Sequence, residues 1–566
     1  MAIVGIDLGT TNSLVAVWSA DGPRLIPNAH GDVLTPSVVS IADGEVLVGR
    51  PAAERLIARP TSTVAAFKRW MGTDKLTRLD GRPYRAEELS ALVLGALRRD
   101  AEADLGEPIT EAIISVPAYF NDLQRKATLT AARLAGLHVE RLVNEPTAAA
   151  LAYGLGEVEE AQFLVFDLGG GTFDVSILDK YDEVMEVRAT AGDNFLGGDD
   201  FREHLMMDLA DRHEIDRGKL APGELSRFVR FAEQLKVELS AKTSVSYTFE
   251  LPDRVVEGRL ERAEYEEIVK PLLRRLRKPL ERAISDARIA PGEIAQVVMV
   301  GGATRTPAIR AMVGRLFGRL PLTHLNPDHL VALGAAVQAG LKARHAALED
   351  VVMTDVCPYT LGISAVSAHH DGPGGEPITV PIIERNSVVP ISRSSSFTTL
   401  QDNQAQIKLE VYQGENLKPE NNVNLGGLTV DVPRARSGEE SVDVRFTYDV
   451  NGALEVEATV RSTGKVWRRV FQNRTGLSDE EIDRRFAELA ALKVPPRDQA
   501  ENRLLIERAE RIYAESIGER RERLVAALRD FEVAIQDPLN AHPERDRETF
   551  AALLDRFETD VFRDID

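Results

Sequence analysis

The chain has 566 residues, too many for one hydrophobic core, so three or four domains are predicted. It carries 69 Lys and Arg against 89 Asp and Glu, a net charge of −20, which argues against nucleic acid or an anionic membrane as the main partner. The single cysteine, Cys357, excludes a disulfide within the chain and a cysteine-based zinc site.

The N-terminal sequence and the lengths of the apolar runs predict where the chain resides. MAIVGIDLG has no basic segment followed by a long apolar one, so no secretory signal is expected. No run of 18 or more apolar residues occurs, so no membrane span is expected. We therefore expect a reducing compartment, with the cytoplasm as the default.

Residues 1–349 alternate short apolar runs with helical patterns. The strand-like runs are AIVGIDL, LVAVW, EAIISVPA, QFLVFDL, DVSIL and QVVMVGG, and helical patterns include LSALVLGALRRDAEADLG and QRKATLTAARLAGL. This alternation predicts an α/β region. The stretch that follows at 350–357, within LEDVVMTDVCP, is interpreted as an interdomain linker.

Residues 358–475 change to a period of two, which predicts an all-β domain. In SVDVRFTYDVNGALEVEATV apolar residues alternate with polar ones on both sides of Asn451-Gly452, the preferred dipeptide of a type I′ hairpin turn. DGPGGEP, residues 371–377, is predicted to be a loop within this domain.

Residues 476–566 return to a helical period. Ser478 and Glu481 form a capping-box pattern that starts a helix, and VPP at 494–496 ends it. A later apolar stripe at helical spacing consists of Leu524, Leu528, Phe531 and Ile535. We favour packing of this stripe inside a small helical bundle over a partner-binding helix.

The motif Asp-Leu-Gly occurs twice, each time at the end of an apolar run. GIDLGTTNS leads into LVAV, and DLGGGTFD at 167–174 leads into VSIL, so each reads as strand, acidic residue, small turn and second strand. This internal repeat predicts two hairpins that face each other across a cleft and bind phosphates from two sides, because glycine turns let backbone amides approach an anion. Asp7 and Asp167 would hold a hydrated Mg²⁺.

Two further Gly-Gly turns follow apolar runs. FLGGDDF supplies Gly197 and Gly198, and VMVGGATRTP supplies Gly301 and Gly302. One such turn is weak evidence, but four of them favour a phosphate-binding cleft.

Eight motifs occur in order along the chain: GIDLGTTNS, FKRWMG, VPAYFNDLQRKAT, NEPTAAALAYG, FDLGGGTFDVS, LGGDDF, VGGATRTP and NPDHLVALGAAVQAG. The set resembles the DnaK-type, seventy-kilodalton heat-shock chaperone family over nearly the whole chain. The resemblance implies a multidomain α/β protein with an actin/hexokinase-like, two-lobed ATPase domain at 1–349 and a linker at 350–357. A β-sandwich peptide-binding domain at 358–475 and a short α-helical lid at 476–566 would follow.

The resemblance assigns roles by position in the motifs. The catalytic residues would be Lys68, Glu145, Asp167, Thr172 and Asp174, and the carboxylates around Mg²⁺ and K⁺ would be Asp7 and Asp167. The nucleotide contacts would be Gly9, Thr10, Thr11, Gly169, Gly170, Gly171, Gly197, Gly198, Glu233, Lys236, Ser240, Gly301, Gly302 and Arg305. The peptide contacts would be Ile363, Val366, Phe397, Leu400, Ile407 and Leu409, although any one of these could equally belong to the core of the β domain.

The resemblance also implies an activity and partners. ATP hydrolysis to ADP and phosphate would switch the peptide site between an open, fast-exchanging state and a closed, tight state that holds extended apolar segments of client proteins. Arg141, Asn144 and Asp355 match the positions that meet a J-domain co-chaperone, and a nucleotide exchange factor is a second expected partner. We expect a monomer with no nucleic-acid or membrane partner.

One departure from the family pattern lies in the linker, which reads VVMTD where a run of leucines before an aspartate is usual. Burial of Thr354 would weaken linker docking unless its hydroxyl finds a partner. The VVMTD linker and a trimmed loop in the first lobe resemble the specialised HscC-like branch. We therefore expect a J-domain partner, but not full stimulation by a housekeeping one.

Two other functions remain open on the residues alone. An actin-fold small-molecule kinase would use the same nucleotide site but would need no peptide domain. A nucleotide-dependent filament protein would use the fold for assembly, and a β domain with a lid would block its polymer contacts.

Overall fold

The computed structural model describes residues 2–42, 45–154, 160–181, 184–251, 254–322, 326–348, 351–366, 376–449, 452–471, 505, 509, 512–513, 518–536 and 543–559. The chain is mixed α/β and divides into two compact units, Met1–Val356 and Cys357–Asp566. In the part of the chain described, no helix is both long enough and apolar enough to cross a bilayer.

The strands of the first unit are β1 (Ile3–Asp7), β2 (Asn12–Ser19), β3 (Gly22–Ile26), β4 (Thr35–Pro36), β5 (Val38–Ala42), β6 (Glu45–Val48), β7 (Thr63–Ala65), β8 (Thr77–Leu79), β9 (Arg82–Tyr84), β10 (Glu111–Val116), β11 (Leu142–Asn144), β12 (Glu160–Leu168), β13 (Phe173–Tyr181), β14 (Val184–Asp193), β15 (Ser244–Glu250), β16 (Val255–Glu261), β17 (Gln296–Val300) and β18 (Val352–Val356). Its α-helices are α1 (Arg50–Ala58), α2 (Ala86–Leu105), α3 (Asp122–Leu134), α4 (Glu145–Gly154), α5 (Gly198–Arg212), α6 (Pro222–Ala241), α7 (Arg262–Ile268), α8 (Lys270–Ala287), α9 (Pro307–Phe317) and α10 (Leu330–Lys342).

Two large sheets of this unit repeat one pattern. The first has the order β11-β10-β1-β2-β3, with β4 also paired to β2, and the second has the order β17-β12-β13-β14-β18. In each, the strand that carries the aspartate of Asp-Leu-Gly near its end forms an antiparallel hairpin with the next strand and lies parallel to a third strand. Asp7 pairs with Leu14 and Asp167 with Asp174, so the two acidic residues occupy equivalent positions beside their turns.

Helices α4 and α10 join the two sheets. Helix α10 packs on β1 and β2, whereas α4 packs on β12 and β13, and the two helices contact each other. Both are rich in small residues, and a Cβ at Gly334 would lie only 1.7 Å from the Ala148 carbonyl oxygen. The close helix crossing therefore requires glycine at Gly334, and it fixes the distance between the two sheets.

The segment interpreted as a linker forms strand β18, which lies parallel to β14. Val184, Met185 and Glu186 pair with Val352, Met353 and Thr354. The linker residues of the first unit therefore extend its second sheet.

The second unit contains two antiparallel four-stranded sheets. Its strands are β19 (Leu361–Ala365), β20 (Ile378–Ile383), β21 (Val388–Val389), β22 (Ile391–Thr398), β23 (Gln406–Gln413), β24 (Val423–Asp431), β25 (Ser441–Tyr448), β26 (Leu454–Val460) and β27 (Val466–Phe471). The sheets have the orders β20-β19-β23-β24 and β22-β25-β26-β27. Alternate residues of these strands, including Val442, Val444 and Phe446, are buried in one shared core, as the period of two predicts.

Helices α11 (Glu519–Gln536) and α12 (Pro543–Thr559) follow in the second unit. Leu524, Leu528 and Phe531 are buried with Phe550 and Leu554, and Ile535 packs against them, so the predicted helical packing of this stripe is confirmed. The Phe531 and Phe550 rings stack at 4.4 Å between centroids. The predicted helix start at Ser478 and Glu481, the VPP break, Asn451 and most of the DGPGGEP loop lie outside the described residues.

Candidate nucleotide-binding site

The two repeated turns, residues 9–11 and residues 169–172, lie against each other. A Cβ built at Gly170 would approach the Thr11 hydroxyl oxygen to 1.9 Å, and one at Gly171 would approach the Thr10 hydroxyl oxygen to 3.0 Å. Each turn is also held from its own side, because Ser37 Oγ donates to Gly9 O (2.7 Å) and Gly169 N donates to Thr172 O (3.1 Å). The second turn has no Cβ at these positions because the first turn occupies that space.

The other two Gly-Gly turns brace the second turn. Gly198 N donates to Gly169 O and Asp199 N donates to Gly170 O, both at 2.9 Å, so the start of α5 is bonded to the turn backbone. Gly301 has φ of 81° and a Cβ there would lie 2.3 Å from Leu168 O, so this turn also requires glycine. Three of the four glycine turns thus form one contiguous backbone surface.

The turns open into a cleft of about 710 Å³. Most of the nucleotide and catalytic residues proposed from the sequence line it: Asp7, Gly9, Thr10, Thr11, Lys68, Glu145, Asp167, Gly169, Gly170, Thr172, Gly198, Glu233, Lys236, Ser240, Gly301, Gly302 and Arg305. Gly171 and Gly197 support the turns and do not line the cleft, and Asp174 is buried behind it.

A buried ion pair lies at the centre of the cleft. The Lys68 ammonium donates to Glu145 Oε1 at 2.7 Å, and the two residues are only 3% and 7% exposed. Lys68 belongs to the 3₁₀ turn Phe67–Trp70, whereas Glu145 is the first residue of α4, where the helix dipole favours a carboxylate. The pair places one cation among the acidic groups of the cleft.

Three aspartates surround this pair. Burial, repulsion by Glu145 and a smaller contribution from Asp328 raise the pKa of Asp7 to about 7, against attraction by Lys68 and a hydrogen bond from Ser115 (3.0 Å). Burial and repulsion by Glu145 likewise raise the pKa of Asp174 to about 8, although Tyr119 N donates to it at 3.1 Å. Burial and the neighbouring carboxylates hold the pKa of Asp167 well above its usual range. One lysine therefore does not neutralise the four carboxylates.

The donor set fits a hydrated divalent cation. Asp167 Oδ2 and Asp174 Oδ2 are buried and have no hydrogen-bond partner among the described residues. Within the described ranges, no three His, Cys, Asp or Glu side chains converge to hold a metal ion by themselves. Mg²⁺ is often held by one or two carboxylates and keeps several waters, so Asp7 and Asp167 are sufficient protein ligands for it.

Helix α6 and residue Arg305 supply further nucleotide contacts proposed from the sequence. Lys236 Nζ lies 2.8 Å from Glu233 and donates to Gly198 O at 3.1 Å, which ties α6 to the start of α5. The Ser240 hydroxyl donates to Lys236 O (3.3 Å), and Arg305 is paired with Asp328 at 2.5 Å. These groups provide charged and polar contacts where α6 and the turn at Gly301 and Gly302 line the cleft.

Sequence reasoning missed several cleft residues. Arg202, Val237, Arg310 and Asp328 line the cleft, and Ser115 bonds Asp7. Arg202 and Val237 lie four positions after Gly198 and four after Glu233, so one further turn of each helix could have pointed to them. Arg310 and Ser115 carry no comparable local signal.

The three residues proposed for the co-chaperone contact come together beside the linker. Asn144 Nδ2 donates to Asp355 Oδ2 at 2.8 Å, Thr147 Oγ1 donates to the same oxygen at 3.2 Å, and Arg141 attracts the Asp355 carboxylate. Arg125 Nη2 donates to Asn144 Oδ1 at 2.6 Å. Asn144 directly precedes Glu145, so the linker carboxylate is one hydrogen bond from the residue next to the ion pair.

The residues proposed as peptide contacts all lie in the second unit, at different depths. Ile363, Ile407 and Leu409 are buried in its core, Phe397 packs against that core, Val366 is half-buried, and Leu400 is 41% exposed. Leu400 is thus the member of the set with the most accessible side chain.

Comparison with known families agrees with this geometry. The family model described as Hsp70 protein matches residues 3–78 and 74–540, which together cover most of the chain and all of the residues of the cleft.

Proposed function

The chain belongs to the Hsp70 family, whose members are ATP-dependent chaperones, and on this premise we propose that it hydrolyses ATP in the cleft of its first unit. The observation that carries the proposal is the buried Lys68–Glu145 pair among three aspartates, in the cleft that the two glycine-containing turns line. Phosphoryl transfer to water depends mainly on positioning and charge neutralisation, and this arrangement supplies both.

In this proposal the backbone amides of the two turns, with Thr10, Thr11 and Thr172, bind the phosphates. Glu233, Lys236 and Ser240 bind the adenosine, and Arg305 is a further nucleotide contact. Lys68 faces the terminal phosphate and, with Glu145 and Asp174, orients the attacking water. The Oδ2 atom of Asp174 supports this role, because it has no hydrogen-bond partner among the described residues and can accept a hydrogen bond from that water.

Family members bind ATP or ADP with Mg²⁺, and here Asp7 and Asp167 would hold the ion. When bound, it supplies positive charge that offsets the phosphates and the carboxylates. The excess of carboxylates over Lys68 supports a second cation, and we include K⁺ in the proposal. The monomeric state and the cytoplasmic location rest on the sequence alone.

We propose further that hydrolysis switches a peptide site in the second unit between an open and a closed state. Two sheets around one apolar core support a β-sandwich, and the packed helices α11 and α12 support a lid. ATP would bind better to the open arrangement and peptide to the closed one, and a coupling of ~1–3 kcal/mol would change peptide affinity roughly 5- to 150-fold.

Hsp70 proteins generally bind client peptides and J-domain co-chaperones. We propose that Arg141, Asn144 and Asp355 form the co-chaperone contact, which the hydrogen bond between Asn144 and Asp355 supports. We also propose the HscC-like branch, supported by the VVMTD linker. Full stimulation of ATP turnover by a housekeeping J-domain protein would contradict that branch assignment.

The test is ATP-dependent release of a fluorescent apolar peptide from the full chain. We expect ATP to accelerate release at least tenfold, and Leu400→Ser to weaken peptide binding. Val470→Ser is the matched control, because Val470 is similarly exposed (44%) on β27, at the opposite edge of the sheet from β22, the strand that precedes Leu400. Phosphate transfer to a sugar in place of free phosphate would favour a kinase, and ATP-dependent light scattering would favour a filament protein.

A further inference from the structure

Arg69, the neighbour of Lys68, makes a contact that joins the two halves of the cleft. Arg69 Nη2 lies 2.5 Å from Asp200 Oδ2 and 3.4 Å from Gly170 O. Both side chains are mostly buried, at 18% and 22% exposure. Arg69 does not line the cleft, so this pair is separate from the groups that face a bound nucleotide.

Asp200 is itself bonded to the backbone that supports the second turn. Its Oδ2 atom accepts from Gly197 N at 2.8 Å, and Asp199 N donates to the same Gly170 carbonyl that Arg69 contacts. A Cβ at Gly171 would lie 2.7 Å from Arg69 Nε, so glycine is what allows the guanidinium to lie against the turn. One arginine therefore reaches both the second turn and the helix that braces it.

Arg69 also belongs firmly to the first half of the unit. Its 3₁₀ turn, Phe67–Trp70, packs on α2, and Phe67 and Met71 are buried in the core built around the first sheet. Asp200 belongs to α5, which follows the second sheet. The ion pair consequently connects the segment that carries Lys68 to the segment that carries residues 169–172.

We propose that Arg69 and Asp200 are positioning residues that clasp the Lys68 segment to the second phosphate turn and thereby set the location of the Lys68 ammonium. The inference rests on the proposed ATPase function and deepens it. When the clasp is formed, Lys68 is fixed beside Glu145 and the second turn. When it is broken, the two halves of the cleft separate more readily, so phosphate escapes sooner and Lys68 is less often in place.

The variants are made in the full chain. Arg69→Gln removes the charge, and Asp200→Asn removes the charge while keeping an acceptor for Gly197 N. The double variant measures coupling between them. Arg69→Lys keeps the charge but reaches only one of the two acceptors at a time. Arg275→Gln is the matched control, because it breaks an ion pair with Asp193 (2.6 Å) that joins α8 to the end of β14 in the second sheet.

Two readouts separate positioning from general structure. In the nucleotide-free protein, hydrogen exchange of residues 169–172 should rise roughly tenfold in Arg69→Gln and Asp200→Asn and stay unchanged in Arg275→Gln. With ATP, the single-turnover hydrolysis rate should fall roughly tenfold and phosphate release should accelerate, while the Kd for ATP changes little. The double variant should resemble either single variant, and Arg69→Lys should be intermediate.

The same exchange rate of residues 169–172 in Arg69→Gln and Arg275→Gln would overturn the proposed role of Arg69 and Asp200. Fully additive effects of the two substitutions in the double variant would also overturn it. If the wild-type chain does not hydrolyse ATP, the proposed function fails. The exchange experiment needs no nucleotide and still decides whether Arg69 holds the turn.

Discussion

Lys68 and Glu145, 77 positions apart in sequence, form a buried ion pair with 2.7 Å between Nζ and Oε1. Removing two charges from water costs free energy that their attraction does not always offset, so such a pair is weak evidence for stability. Phe120 covers the ammonium at 5.5 Å from its ring centroid and excludes water from this side. The pair is therefore better explained by the phosphate chemistry of the cleft than by the fold.

This relationship predicts the effect of Lys68→Ala and of Thr172→Ala. Each should slow single-turnover ATP hydrolysis by an order of magnitude or more while ATP binding stays measurable, because each removes a charge or positioning contact to the reacting phosphate. Lys126→Ala is the matched control, since Lys126 pairs with Asp122 on α3, away from the cleft residues. Unchanged turnover in both cleft variants would refute the site assignment.

The contact between the two turns predicts a rescue experiment. Gly170→Ala should abolish or strongly weaken ATP binding, because its Cβ would lie 1.9 Å from the Thr11 hydroxyl oxygen. Gly169→Ala in the same turn should be tolerated, since its Cβ would meet nothing closer than 3.9 Å. Thr11→Ala combined with Gly170→Ala removes the clashing oxygen, so titration calorimetry should show partial recovery of ATP affinity. No recovery would mean that Gly170 is needed for another reason.

Local features of the cleft could be predicted from the sequence, and its long-range contacts could not. The repeated Asp-Leu-Gly motif predicted two equivalent hairpins, because strand, acidic residue and turn are neighbours in the chain. The pairing of Arg69 with Asp200 spans 131 positions and depends on how two sheets are brought together, for which no sequence period is informative. In the second unit the period of two predicted which faces are apolar, but it did not distinguish buried Ile363 from exposed Leu400.

The linker strand contains a polar atom whose removal should strengthen docking. Thr354 Oγ1 is buried and has no hydrogen-bond partner among the described residues, which is the situation that the sequence indicated would weaken docking. Thr354→Val keeps the branched shape and removes the hydroxyl, so pairing of β18 with β14 should become more favourable by ~1–3 kcal/mol. Hydrogen exchange of residues 352–356 should slow accordingly.

Val352 provides the control for this experiment. It lies on the same strand and is 49% exposed, so Val352→Thr adds a hydroxyl that water can satisfy and should leave exchange unchanged. Faster exchange in Thr354→Val would show that the hydroxyl supports docking in a way that the described contacts do not include.

Glu415 predicts an acid-sensitive attachment of helix α11 to the sheets of the second unit. Its carboxylate accepts from Arg385 at 2.9 Å, from Thr360 N at 2.7 Å and from Arg521 of α11, and all of these residues are buried. Burial alone would raise the pKa of Glu415, but the attraction of Arg385 and Arg521 and the hydrogen bonds from Thr360 outweigh it and hold the pKa below its ordinary value of 4.5. The ionised group therefore stabilises the fold fully above about pH 4.5, and this contribution is lost as the pH falls through the lowered value.

Arg521→Gln should remove much of this stabilisation. Without the attraction of Arg521, the effect of burial on Glu415 is offset only by Arg385 and Thr360. The pKa of Glu415 should therefore rise, and the midpoint of acid unfolding should move to higher pH. At pH 7 the free energy of unfolding should fall by ~1–3 kcal/mol, because a buried carboxylate loses a charged hydrogen bond. Arg523→Gln on the same helix breaks only an exposed pair with Glu519 and should change neither quantity. Circular dichroism against pH and urea measures both, and identical curves for the two variants would contradict the role of Arg521.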